Sequence, residues 1–192
     1  DFKCDHFMSP PPVTRFGKVS LVQMITDLVE MYERNQFILK IARKYSKGSR
    51  RLLILSDRRW HCEFLHDSLK DLGCGLYMGG MKEAQLQESS KQKIIVGTFS
   101  QAHEGLDIPE LDTILLATPK SDVKQAVGRI LRETKGKKNE PIILDFRDHW
   151  GMLTSMYYKR RKMYRESGFE LDKIKEVEEP APTILDTFAF RS

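Results

Sequence analysis

Four short apolar runs constrain this chain more than any other feature: RLLIL (51–55), KIIVGTF (93–99), TILLAT (113–118) and PIILDF (141–146). None alternates with polar residues, as a strand with one wet face would. Continuous apolar strands belong to sheets covered on both faces, which is the usual state of parallel strands joined by helical crossovers. A weaker run, GLYM (75–78), ends at Gly79-Gly80. Between the runs the spacing turns helical. Leu21, Ile25, Leu28, Val29, Tyr32, Phe37, Leu39 and Ile41 predict one long helix over 19–45, or two broken near Asn35, with Gly48 as its stop. Further helices are expected from about Arg59 to Leu72, across QAVGRILR (125–132), and from about Trp150 to Ser167. Strands interleaved with helices predict an α/β fold, a doubly wound parallel sheet of about five or six strands with right-handed crossovers.

The 192 residues suit a single domain with appendages. Residues 1–18 are proline-rich and irregular, because Pro10 to Pro12 forbid a regular helix or a central strand. Residues 19–168 carry the pattern, and 169–192 read as a linker-like tail with an apolar end, TILDTFAF. The first residue is Asp rather than Met, which predicts a piece of a longer chain. A net charge of +5 permits a nucleic-acid partner without demanding one. Cys4, Cys62 and Cys74 are odd in number and show no CxxC spacing, so a reduced, intracellular protein is expected rather than a secreted one. Neither Cys4 with His6 nor His61 with Cys62 supplies four zinc-like ligands, and no metal site is expected in the chain itself. No run of about 18 apolar residues suggests a membrane span.

In an open α/β sheet, ligands bind beyond the carboxyl ends of the strands. Ser56, Asp57 and Arg58 follow the first run, Gly79 and Gly80 the second, and TFSQAHEGLD (98–107) the third. All offer hydroxyls, small residues or backbone N–H groups suited to phosphate oxygens. Each also has an ordinary reading: Thr98 and Ser100 as caps, Asp107 and the glycine pair as turn residues, Arg129 and Arg132 as surface arginines or an ion pair. In QAVGRILR the offsets of four and three put Gln125, Arg129 and Arg132 on nearly one helical face beside Gly128. Three polar donors on one face suit an anion.

VGTFSQAHEGLDIP followed by QAVGRILR resembles motifs V and VI of the superfamily 2 helicases and translocases, and RLLILSDR resembles their motif IV. The form QxxGRxxR after SDV is most similar to the group of Rad25-type repair helicases and the helicases of phages and large DNA viruses. The resemblance covers roughly residues 50–148 and implies the RecA-like fold of a second motor lobe. Carried over, Gln125, Arg129 and Arg132 face the γ-phosphate of ATP, with Arg132, or Arg129 and Arg132 together, as arginine finger. Gly105 and Asp107 match the GxD that touches the ribose and braces motif VI. Ser56, Arg58, Gly79, Gly80, Thr98 and Ser100 match positions near the nucleic-acid backbone. The implied cofactors are ATP and Mg2+, held mainly by a first RecA-like lobe; the implied partners are that lobe and DNA or RNA, single-stranded or duplex. The implied setting is nucleus, cytoplasm or a viral replication compartment.

The sequence holds no GxxxxGK[ST] loop and no DExD or DExH box. The resemblance places both in the first lobe, so this chain by itself is expected to be an inactive half of an ATP-dependent helicase. A non-catalytic nucleic-acid-binding or regulatory module of the same fold is the competing reading. A Rossmann enzyme is disfavoured, because no glycine fingerprint opens the first strand–helix unit. Two basic clusters remain, KGKK (135–138) and KRRKMYR (159–165). The second interleaves tyrosines with cations and suits either a single-strand track or a solvated helix face with its rings on the core.

Overall fold

A computed structural model describes residues 11–104, 106–131 and 139–170. Its elements run α1 (Leu21–Glu30), α2 (Tyr32–Tyr45), β1 (Leu52–Ser56), α3 (Arg59–Ser68), β2 (Cys74–Tyr77), α4 (Glu83–Ser90), β3 (Ile94–Thr98), α5 (Phe99–Glu104), β4 (Thr113–Leu116), α6 (Lys124–Leu131), β5 (Ile142–Asp145) and α7 (Gly151–Glu166). The strands form one all-parallel sheet in the order β2-β3-β1-β4-β5. The expected α/β architecture is therefore present, with every strand ending on the same edge.

Alternate residues of each strand feed two cores. Leu52, Ile54, Ile94, Val96 and Leu115 pack with α1, α2, α3 and the start of α7 through Leu28, Ile38, Leu65 and Leu153. Leu53, Leu55, Ile95, Ile114 and Leu116 pack under α4, α5 and α6 through Leu86, Phe99, Ala126, Val127 and Ile130. Covering both faces explains why the runs carry no polar alternation. In β2 and β3 close approach requires glycine. A Cβ on Gly75 would lie 2.6 Å from the Ser89 carbonyl oxygen of α4, and one on Gly97 2.4 Å from the Tyr77 carbonyl oxygen. Cys62 and Cys74 are free thiols that burial pushes up to about 12, so neither is a thiolate at neutral pH.

Three elements differ from expectation. The first helical stretch breaks at Met31, which is extended (φ −68°, ψ 113°), rather than near Asn35. Asn35 is what makes the break tolerable: its amide nitrogen donates to the Val29 carbonyl (2.7 Å), which the break strips of a helical partner. Helix α4 was not legible, because Leu86 is its only buried residue and EAQLQESS shows no apolar period. Helix α5 begins where a strand over 93–99 was expected to end. Phe99 and Ala102 are both buried, and Thr98 Oγ1 accepts from the Gln101 amide (3.4 Å) as a cap.

Candidate functional site

The carboxyl ends of β1 to β4 enclose a cleft of about 400 Å³ lined by Asp57, Arg59, Gly79, Thr98, Phe99, Ser100, His103 and Lys120. Gly79, Thr98 and Ser100, three of the residues expected near a nucleic-acid backbone from the resemblance, thus line one cleft. The Thr98 and Ser100 hydroxyls lie 3.2 Å apart. Gly80 beside them has φ +84°, a left-handed turn that only glycine adopts freely.

Ser56 and Arg58 do not line the cleft. Ser56 is fully buried. Its Oγ accepts from the Arg58 amide (3.2 Å) and sits 2.9 Å from His61 Nδ1, while His61 Nε2 lies 3.0 Å from Asn35 Oδ1. Because the Asn35 amide nitrogen is spent on Val29, its Oδ1 accepts; His61 therefore carries its proton on Nε2, and Ser56 donates to Nδ1. Burial, reinforced by nearby Arg34, holds the His61 pKa down to about 3. Arg58 turns away to α1, donating to the Val22 carbonyl (2.8 Å) and to Thr26 Oγ1 (3.3 Å). In its place Arg59 faces the cleft, with Nη1 donating to the Gly79 carbonyl (2.8 Å).

Lys120, in the loop after β4, is the other cation in the cleft; its Nζ is 3.1 Å from Asp57 Oδ1. Lys120 lies in ATPKSD (117–122), and the rule that ligands bind beyond the carboxyl ends of strands points to it after β4 as it does to the residues after β1, β2 and β3. Arg59 was hidden by its neighbour, since one helical step separates a residue facing α1 from one facing the cleft.

Helix α6 presents Gln125 to solvent and buries Ala126, Val127 and Ile130; Leu131, which the spacing would bury, stays 38% exposed. Arg129 is half-buried. Its guanidinium donates to the Leu106 carbonyl and to the His103 carbonyl (3.0 Å), joining α6 to the segment that follows β3. Gly128 lies beside it with open space above its Cα. Asp107 is exposed just beyond α5. Gly105, Arg132 and the KGKK cluster lie outside the described residues, as does the tail from 171.

Within KRRKMYR, Arg160 and Tyr164 are 1% and 3% exposed and both bond Asp145, Arg160 through Nε (2.8 Å) and Nη2 (2.9 Å) and Tyr164 through its hydroxyl (2.9 Å). Lys159, Lys162 and Arg165 are exposed. The cluster is a helix face whose inner residues are structural. Among the described residues no group of three or more His, Cys, Asp or Glu side chains is placed to hold a metal ion. No helix among them is long and apolar enough to cross a membrane.

No protein-family model matches the chain. The chain is 35% identical over 162 residues to a protein of Acanthamoeba polyphaga mimivirus named as a candidate ATP-dependent RNA helicase, a match covering 82% of this chain and 30% of that one. Its fold is similar to that of T4 UvsW (TM-score 0.60, 19% identity), over 77% of this chain and 35% of that chain. It is also similar to the C-terminal domain of the DEAD-box protein Dbp5 (TM-score 0.53, 14% identity), over 72% of this chain and 80% of that domain. The chain thus spans about a third of the mimivirus protein and of UvsW, and most of an isolated C-terminal domain.

Proposed function

We propose that this chain is the second, C-terminal motor lobe of an ATP-dependent superfamily 2 nucleic-acid helicase or translocase, a reading supported by its likeness to a viral candidate helicase and by its fold. It would supply the arginine finger and part of the track and stay inactive without a first lobe. The observation that carries this reading is the pair of bonds from Arg129 to the His103 and Leu106 carbonyls. They tie the helix of QAVGRILR to the segment of TFSQAHEGLD, so that a change at the nucleotide-facing helix is felt at the wall of the cleft.

In this reading ATP lies between the lobes, with Gln125, Asp107 and Gly105 on the near side. Closing the lobes brings a guanidinium to the charge that spreads over the transferred phosphoryl group. An arginine finger is worth about 10³ to 10⁵ in rate in other phosphoryl-transfer systems, because its planar fork donates to two oxygens at once and never deprotonates. With Arg129 engaged at two carbonyls, that task falls first to Arg132. Magnesium is assigned to the first lobe. The cleft over Gly79, Thr98 and Ser100 holds the backbone of a strand, DNA or RNA, through phosphate and sugar contacts that carry no base sequence.

The test compares ATP hydrolysis by this chain alone with that of the same chain joined to a first RecA-like lobe, both with Mg2+ and a single strand present. Alone, the chain should hydrolyse negligibly; the pair should turn over, and Arg132→Ala in the pair should lower kcat about 10³-fold or more while ATP still binds. Robust hydrolysis by the isolated chain would overturn the assignment.

A further inference from the structure

The loop after β4, residues 117–120, is fixed from two sides. Beneath it lie two buried arginine–aspartate pairs. Arg34 holds Asp148 through Nε (2.9 Å) and Nη2 (3.2 Å) and gives Nη1 to the Ala117 carbonyl (2.6 Å). Arg160 holds Asp145 and gives Nη1 to the Lys120 carbonyl (2.9 Å). Above it, Thr118 Oγ1 accepts from the Asp57 amide (2.8 Å). Charged groups are costly to bury even when paired, so two such pairs spent on one short loop fix the backbone from which Lys120 projects. The Lys120 side chain passes over the Phe99 ring, with Nζ 5.6 Å from its centroid, and reaches Asp57 at 3.1 and 3.4 Å. Both members of this pair remain open to solvent, at 39% and 21% side-chain exposure. Asp57 is the one acidic residue among those lining the cleft; the others bring cations, hydroxyls, a glycine, a ring and His103.

We propose that Lys120 is a ligand for one backbone phosphate of a bound single strand, and that Asp57 is its resident counter-ion, displaced when the phosphate arrives. This rests on the reading of the cleft as a nucleic-acid track. A solvent-exposed ion pair is weak, because water screens it and two side chains must be held still. A carboxylate and a phosphodiester carry the same charge on two oxygens, but Asp57 spends both of its oxygens on Lys120, whereas a phosphate lying in the cleft reaches Lys120 and a cleft hydroxyl together. The exchange is nearly balanced, which suits a motor whose backbone contacts must form and release at every step. Asp57 also offsets the Lys120 charge in the cleft, to which Arg59 brings a second cation.

The test uses this chain with fluorescein-labelled oligouridylate and oligothymidylate of about 12 nucleotides, read by anisotropy at about 50 and about 200 mM salt. The variants are Lys120→Gln, Asp57→Asn and, as a control of equal charge change, Lys91→Gln, exposed at the opposite edge of the sheet ahead of β3. Lys120→Gln should weaken binding about three- to tenfold and reduce the slope of log affinity against log salt by about 0.7, the value for one single-strand phosphate. Asp57→Asn should tighten binding about two- to fivefold, and Lys91→Gln should change it little. If the unsubstituted chain binds neither probe at the lower salt, the track reading falls and takes this assignment with it. If it binds and Lys120→Gln matches it in affinity and slope, or Lys91→Gln weakens it as much, the track stands and Lys120 is not a ligand. Weaker binding by Asp57→Asn would show that Asp57 positions Lys120 rather than competing for it, overturning the counter-ion role.

Discussion

His61 is buried without charge, and the consequence reaches the pH profile of the whole domain. Its pKa is held to about 3 when folded, against 6.5 for the free side chain. Between these values the unfolded chain binds a proton that the folded chain refuses, so stability falls with falling pH throughout that window and is fully present only above 6.5. From pH 7.5 to pH 5.5 the loss should be about 1.4 kcal/mol. Urea unfolding of the chain and of His61→Gln at both values isolates the effect, since the other histidines contribute to both. The difference between the two proteins should shrink by about that amount at the lower pH; an unchanged difference would mean that His61 titrates normally. Ser56 shows why such a residue resists a sequence reading. A serine at the end of an apolar run looks like a rim hydroxyl, and only the positions of His61, five residues on, and of Asn35, far off in sequence, turn it inward.

At the scale of elements, the strands and most helices were legible because burial on both sheet faces leaves a dense apolar signal. Helices α4 and α5 were not, since one rests on the sheet through Leu86 and the other is six residues long. Helix α6 was legible as a helix. Its spacing put Gln125 and Arg129 on the rim side, but not the turn of Arg129 back onto two carbonyls. That choice depends on where α5 ends, which periodicity does not fix. Gly128 gives this element its own prediction. A glycine inside a helix costs roughly 0.5–1 kcal/mol against alanine, and here a Cβ would meet nothing within 4 Å in this chain. Gly128→Ala should therefore raise the stability of the lone lobe by up to about 1 kcal/mol, seen in urea unfolding. If α6 faces ATP and a first lobe, the same change should lower ATP turnover by the joined lobes. Turnover equal to that of the glycine form would show that this face of α6 meets nothing.

Across the whole molecule the two buried ion pairs gather distant segments onto one loop. Arg34 connects α2 to Asp148 ahead of α7 and to Ala117 at the end of β4; Arg160 connects α7 to β5 and to Lys120. Neither pair was legible. Arg34 lies in a helix of mixed polarity, and Arg160 sits in a basic cluster that composition assigns to solvent. Removing one partner of a buried pair typically costs about 3–5 kcal/mol, because the other charge is stranded, so Asp148→Leu alone should destabilise the domain by that order. Replacing both charges with apolar residues of similar size is often neutral, but here it should not be. Arg34→Met with Asp148→Leu leaves the Ala117 carbonyl without the donor it holds at 2.6 Å, and an orphaned buried acceptor costs about 1–3 kcal/mol. The double variant should thus recover part of the loss and stop short of the unsubstituted chain, as measured by urea midpoints. Full recovery would mean that the carbonyl finds another donor and that the loop does not depend on Arg34. Partial recovery, with weakened oligonucleotide binding by the folded double variant, would tie the clamp beneath β4 to the lysine above it.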